Sequence, residues 1–410
     1  MNQHFGSEFF AGNRASLREL FTGTAPIVVA ANGLLQRGAD SAFPFAQDAN
    51  FWYLTGIDEP DIILVIDKDK EYLIVPDRDD SRAAFDGSIA AADLIERSGI
   101  QTVVNEKEGW SQLVNRLRKV KHVATLASPP AYIERYGLYT NPARARLVTQ
   151  LKEHNAELEL LDIGQHLIRL RMVKQPAEIA AIQAAIDITT ASIKQVSRPA
   201  KIASYAHEFE IEGDLTRSFR KRGASGHAFE PIVASGPRAC TLHNVANNGT
   251  LAANELVVID IGAEVEHYAA DITRTVSIGA PSRRQQAVHA AVLEVQAFAF
   301  GLLKPGVLLK EYEEKIEHYM GEKLRELGLI KLIDHDSVRS YFPHATSHFL
   351  GLNVHDVGDY DRPLEVGNVL TVEPGIYIPA EGIGVRIEDD ILITETGIKI
   401  LSNKLPRVLR

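Results

Sequence analysis

Two aspartates bracket the stretch VVIDIGAEVEHYAADITRTV, residues 257–276, and their spacing is the first chemical signal in the chain. The runs on either side of EVEH are apolar and β-branched, which suits two strands, and four residues is an ordinary hairpin connection. A turn over 264–267 sets Asp260 directly opposite Asp271, with Cβ atoms roughly 4.5–5.5 Å apart, where like charges destabilise a sheet unless positive charge comes between them. A second stretch, VLTVEPGIYIPAEGIGVRIEDDILI over 369–393, repeats the pattern: a connection over 379–382 sets Glu373 opposite Glu388. Two hairpins that each present a facing pair of carboxylates suggest one site. Four carboxylates gathered in a sheet interior would repel and lose hydration. Two divalent cations balance those charges, and oxygen-rich surroundings favour Mn²⁺, Mg²⁺ or Ca²⁺.

Imidazole is available nearby. The segment PHATSHFLGLNVHDVG, 343–358, holds His344, His348 and His355, three of the 14 histidines within twelve residues, and His243 precedes the first hairpin. Such a concentration exceeds what a structural role requires and moves the metal preference toward Mn²⁺, Co²⁺ or Zn²⁺. Spacing alone leaves open which histidine binds. A close metal pair lowers the pKa of water and polarises a carbonyl or phosphoryl oxygen, so hydrolysis is the expected chemistry. Nucleophile chemistry is poorly supported: Ser235 in VASGP lacks a Gly-x-Ser-x-Gly context, and no Walker or Rossmann glycine fingerprint occurs. The single cysteine, Cys240, excludes an internal disulfide and a cysteine-rich zinc site, and reads as a buried structural residue.

These residues need a framework, and 410 residues is too long for one ordinary core. Residues 1 to about 140 alternate short β-rich runs, PIVVAA (26–31), DIILVID (61–67), EYLIVPD (71–77) and HVATL (122–126), with helical segments such as 88–97, which describes an α/β domain that with its helical linker spans 1–170. The aromatic run at 51–53 reads as core. A polar, helical connection spans about 141–172. Residues 171–410 form an α+β domain with a coarse internal repeat. Helical patterns at about 177–196 and 205–222 lead into the aspartate hairpin, and two more, carrying Val288, Val292 and Val295 and then Tyr312, Ile316, Tyr319 and Leu327, lead into the glutamate hairpin. With 44 basic against 54 acidic residues and no long basic block, a general nucleic-acid binder is not expected. No run approaches a membrane span and the first residues do not read as a signal peptide, so a cytoplasmic protein without membrane association is expected.

The motifs DIGAEVEHYAADITRT, SHFLGLNVHDVG, LTVEPGIYI and GVRIEDDILIT resemble the pita-bread metallopeptidases, most closely the aminopeptidase P (Xaa-Pro aminopeptidase) family. The likeness covers about Arg171 to Leu401 and extends more loosely to ADSAFPFAQDANFWYLTGIDEPD, 39–61. It implies a pita-bread catalytic domain with a pseudo-twofold repeat, and two Mn²⁺ held by Asp260, Asp271, His348, Glu373 and Glu388, with Co²⁺ or Zn²⁺ as substitutes. Asp271 and Glu388 would bridge, and Glu373 would also shuttle a proton. It implies catalytic contacts to the scissile bond from His243 and His355, a further substrate-side histidine at His344, and pocket roles for Tyr377 and Arg386. The second hairpin's register supports those last two, which fall on the same face as Glu373 and Glu388. The implied activity is hydrolysis of the N-terminal Xaa-Pro bond of proline-containing peptides, by a homodimer or homotetramer assembled through the N-terminal domain. Prolidase, cleaving only Xaa-Pro dipeptides, is the rival; a metal-free binding protein on the same fold is the alternative from another class. Two departures are a short second hairpin loop and Phe85 in RAAFDG, 82–87, where bacterial relatives carry tryptophan.

Overall fold

The computed structural model describes residues 4–77, 83–85, 87–127 and 137–409; Arg82 and Asp86 of RAAFDG lie outside the described residues. The chain divides into two compact units, Phe5–Leu170 and Arg171–Arg410 with Met1–His4.

The first unit is built on strands β1 (Ile27–Ala30), β2 (Ile63–Ile66), β3 (Glu71–Val75), β4 (Val103–Asn105), β5 (His122–Thr125) and β6 (Glu159–Asp162). They form one sheet in the order β4-β3-β2-β1-β5-β6, in which only β2 runs antiparallel to its neighbours. IVVA and ILVI are buried at every position, the signature of strands covered on both faces. The stretch 141–162, read from sequence as connection, supplies the helix Ala143–His154 and the edge strand β6 to this unit. Phe51, Trp52 and Tyr53 are core residues, on a helix opened by the Asp48 side chain and closed by Gly56 at φ 67°.

The second unit contains the expected repeat of order. Helices Pro176–Val196 and Glu208–Arg222 precede β7 (Gly226–His227), β8 (Ile232–Ser235), β9 (Leu256–Ile261), β10 (Ala263–Val265), β11 (Tyr268–Ala269) and β12 (Ile272–Ser277). Helices Arg283–Leu302 and Leu309–Glu326 precede β13 (Val369–Val372), β14 (Gly375–Ile378), β15 (Ile383–Arg386), β16 (Asp389–Thr394) and β17 (Gly397–Ile400). Val288, Val292, Val295, Tyr312 and Ile316 pack with Val372, Val385, Ile387 and Ile391 in one core. Burying each such side chain contributes roughly 1.5–3 kcal/mol, which pins this face of β13–β16 inward and turns the alternate residues toward the acidic face.

The glutamate hairpin has the register read from sequence. Ile378 pairs with Ile383 and Gly375 with Arg386, around a connection at 379–382. Val372 pairs with Asp389 in the same frame, so Glu373 falls opposite Glu388. The aspartate hairpin requires a correction. Its turn is Glu266–His267, two residues rather than four, because both adopt left-handed backbone at φ 48° and 67° and let Val265 pair with Tyr268. The register moves by two residues: Asp260 lies opposite Thr273, and Asp271 is its diagonal neighbour. A shift of two keeps both aspartates on one face, whereas a shift of one would have separated them.

Candidate metal centre

The site forms where the two hairpins meet. Glu388 N–H donates to Thr273 O at 3.0 Å, and Arg386 N–H donates to Thr275 Oγ1 at 3.1 Å. Thr273 Oγ1 donates to Glu388 Oε2 at 2.7 Å, and Asp271 N–H donates to Asp390 Oδ2 at 3.1 Å. Gly262, which falls across from Asp271, lets its own hairpin close up beside that acid: a Cβ there would sit 1.6 Å from Ala270 O. Asp260, Asp271 and Glu388 are thereby buried on one face.

The histidine segment joins as an extra edge. Glu373 N–H donates to Thr346 O, Thr371 N–H to His348 O and Leu350 N–H to Val369 O, so residues 346–350 run antiparallel beside β13. His348 is thus one diagonal step from Glu373. Glu313 anchors the segment from behind by accepting the N–H groups of Thr346 and Ser347, and Tyr312 OH meets Ser347 Oγ at 2.9 Å. His348 Nδ1 bonds Phe349 O at 3.0 Å, which directs Nε2 at Glu373 Oε1 (3.3 Å) and Asp271 Oδ2 (3.5 Å). Fixing one imidazole nitrogen on a carbonyl and freeing the other is how metal-binding histidines are oriented.

A second chain of contacts leads away from the acids. Arg386 Nη2 donates to Asp260 Oδ2 at 2.6 Å and Nη1 to Tyr377 OH at 2.8 Å; Tyr377 OH meets His344 Nε2 at 2.8 Å. His344 Nδ1 bonds Ala345 O and lies 3.6 Å from Glu373 Oε2. Burial and then the Arg386 charge push the His344 imidazole down to about 3, so it is neutral at pH 7. The His355 ring packs edge-on against His348, with centroids 4.4 Å apart, and is pushed down to about 4 by burial of its inner part and by the His348 and His243 charges. His243 is exposed, and its charge also acts on His344, which puts it on the same open side. The ten candidate metal-binding, catalytic and pocket residues are therefore gathered here: five around the acidic face and five along its rim.

The acids press on one another. Burial, then the Asp260 charge, raises the Asp271 carboxyl well above the ordinary range; burial, then Asp271, does the same to Glu388. Glu373 is pushed up to about 7 by burial, against the pull of His348 and Arg386. Asp271, His348 and Glu388 each present a donor atom within 4.8 Å of the others. Asp260 Oδ1 is buried with no hydrogen-bond partner among the described residues. Convergent acceptors, an imidazole nitrogen aimed among them and an orphaned carboxylate oxygen fit a metal: a proton on Nε2 supplies one positive charge, a divalent ion two.

Sequence reasoning missed Asp390, which shares the Glu388 face, accepts from Asp271 N–H and keeps a buried Oδ1 without a partner among the described residues. Burial raises its carboxyl well above the ordinary range. The period of two from Glu388 was the available signal. Its neighbour Asp389 faces the other way and accepts from Arg274, Gln296, Ser402 and Arg407. Cys240 is half-buried, its Sγ donating to Ile383 O at 3.4 Å, and burial raises the thiol.

A pita-bread unit whose paired hairpins gather carboxylates and a histidine defines a metallopeptidase, and the chain belongs to metallopeptidase family M24, whose model matches residues 180–395. The aminopeptidase P N-terminal domain matches residues 10–124. Among relatives, the Xaa-Pro aminopeptidase of Haemophilus influenzae is 36% identical, covering 91% of this chain and 88% of its own length. Xaa-Pro aminopeptidase 3 of Homo sapiens is 34% identical, over 93% of this chain and 78% of the human protein. Zinc-substituted aminopeptidase P of Escherichia coli, solved in complex with product, superposes with a TM-score of 0.86 at 29% identity, covering 100% of this chain and 97% of that one.

Proposed function

We infer that this hydrolase is an Xaa-Pro aminopeptidase, removing the residue that precedes proline at the amino terminus of a peptide. The observation that carries the reading is the convergence of Asp271, His348, Glu373 and Glu388 on one small volume, in a chain alike over nearly its whole length to proteins of that activity. Asp260, Asp271, His348, Glu373 and Glu388 would hold two divalent ions, with Mn²⁺ the preferred pair on the mixed oxygen and imidazole donor set and Co²⁺ or Zn²⁺ as substitutes. When bound, the ions lower the pKa of water and polarise the scissile carbonyl.

The remaining steps belong to side chains. Glu373 has one carboxylate oxygen toward His348 and the other toward His344, which places it between donor cluster and substrate side and suits it to take and return a proton. Arg386 fixes Asp260 through Oδ2 and Tyr377 through its hydroxyl, so the first hairpin's acid and the pocket wall move together. His243 and His355 face the open side, where an imidazole can donate to the oxygen that gains charge as the Xaa-Pro carbonyl becomes tetrahedral. Proline at the second position has no amide N–H, so a pocket that asks for none accepts a bond other aminopeptidases leave. Assembly into a homodimer or homotetramer is part of the same reading. It draws on Leu34, Leu35, Phe43 and Tyr139, exposed on the N-terminal unit, and light scattering of the purified protein tests it.

The deciding experiment compares Xaa-Pro with Xaa-Pro-Yaa after loading with Mn²⁺, Co²⁺ or Zn²⁺. Cleavage of the tripeptide is expected; cleavage of the dipeptide alone would replace this reading with prolidase. Fewer than about one equivalent of bound metal with no turnover on either peptide would indicate a binding protein instead.

A further inference from the structure

Asp356 follows His355 in sequence, yet it is buried where His355 is exposed. Its Oδ1 meets Arg171 Nη2 at 2.5 Å and its Oδ2 meets Lys174 Nζ at 3.0 Å, with all three side chains at most 2% exposed. Asp356 N–H donates to Phe349 O at 2.8 Å, closing residues 349–356 into a loop that has no helix or strand over 351–355. Gly351 is required inside it, since a Cβ would lie 2.2 Å from Asp356 Oδ2 and 2.9 Å from Lys174 Cε. Gly351 O accepts Ala269 N–H from the aspartate hairpin, and Lys174 N–H donates to Gly367 O just ahead of β13. The ion cluster therefore ties the loop to both hairpins.

A buried charge triad is a poor choice for stability alone, because packed apolar side chains of the same volume usually serve as well or better. What such a triad does supply is direction, since a carboxylate gripped at both oxygens can neither rotate nor shift. Here the grip is one peptide bond from an imidazole whose loop has no other regular structure to hold it. We propose that Asp356, clamped by Arg171 and Lys174, is a positioning residue that fixes the His355 imidazole against His348 for the hydrolytic step. This rests on the assignment of His355 to the substrate side.

The test compares His355→Ala, Asp356→Asn, Lys174→Met and the two doubles with His355→Ala, as metal-loaded protein on an Xaa-Pro-Yaa peptide. Metal content and melting temperature are recorded alongside kcat and KM. Asp356→Asn is expected to lower kcat about 10²-fold and Lys174→Met about tenfold, the loss expected when a reacting group is misplaced, with KM and metal content little changed. Because both act through His355, neither should lower kcat further in the His355→Ala background. If Asp356→Asn does not fold, Lys174→Met and its double decide alone. Losses that multiply in the doubles, or wild-type kcat in the latch variants while His355→Ala is impaired, would overturn the latch and leave the role of His355 standing. Wild-type kcat in His355→Ala would overturn both.

Discussion

The two hairpins of the catalytic unit do the same work with unequal means. The glutamate hairpin sets its acids directly opposite each other around a four-residue connection, while the aspartate hairpin sets its acids on the diagonal around a two-residue turn. The diagonal pair receives a guanidinium from across the crossing, Arg386 of the glutamate hairpin on Asp260, whereas in the direct pair Glu373 faces the imidazoles of His348 and His344. Charge compensation thus crosses between the hairpins, the arginine of one serving an aspartate of the other while imidazoles face Glu373. Chain connectivity repeats; electrostatics does not.

The largest effect expected from breaking this arrangement is at Glu388, which stands in the direct pair and is held by Thr273 of the other hairpin. Glu388→Gln should lower kcat/KM at least about 10³-fold together with metal content, read by peptide assay and elemental analysis. Arg386→Lys tests the built-in cation. Lysine cannot span Asp260 and Tyr377 in the guanidinium's fork, so a loss of about 10²-fold is expected, with metal retained and KM raised. Wild-type kinetics would show that the fork is dispensable.

A pH series sharpens the contrast further. Asp271, Glu373 and Glu388 have raised carboxyls, so without metal the folded state holds more protons than the unfolded one, and stability falls as pH rises through those values, about 7 for Glu373. The depressed His344 and His355 act in the opposite sense, but only below their ordinary 6.5. Metal-free protein should therefore lose melting temperature as pH rises from about 6.5 through the Glu373 value of about 7, and added Mn²⁺ should flatten the slope. An equal slope with and without the ion would contradict the assignment. The smallest effect is at the turn. His267→Gly relieves a left-handed backbone and should stabilise by up to about 1 kcal/mol in thermal melts, leaving kcat unchanged because the whole β9–β12 ladder holds the register.

That turn also marks the limit of what the chain displays in its letters. In PAEG, proline and glycine announce the ends of the connection, and Gly382 takes φ 63°, so the register was legible. EVEH carries no such punctuation. Glu266 and His267 adopt a conformation their side chains disfavour, and only tertiary pairing discloses it. The helices were legible from their apolar periods, down to Val288, Val292 and Val295. Strand β6 was not, since ELLD is exposed throughout and has no apolar pattern to read. The supports of the site escaped for a different reason. Asp356 meets Arg171 and Lys174 across more than 180 residues, and Glu313 meets Thr346 from a helix whose pattern advertises only its core face.

Asp389 and Asp390 stand side by side on β16 with opposite duties, one gripped by two arginines, the other turned toward the acidic cleft. Sliding this strand by a single residue would thrust the wrong aspartate through each surface, stranding two guanidinium groups and leaving the cleft's neighbour unmet. Adjacent acids of contrary orientation thus act as a ratchet tooth, so that mispairing of this central strand is penalised on both faces at once.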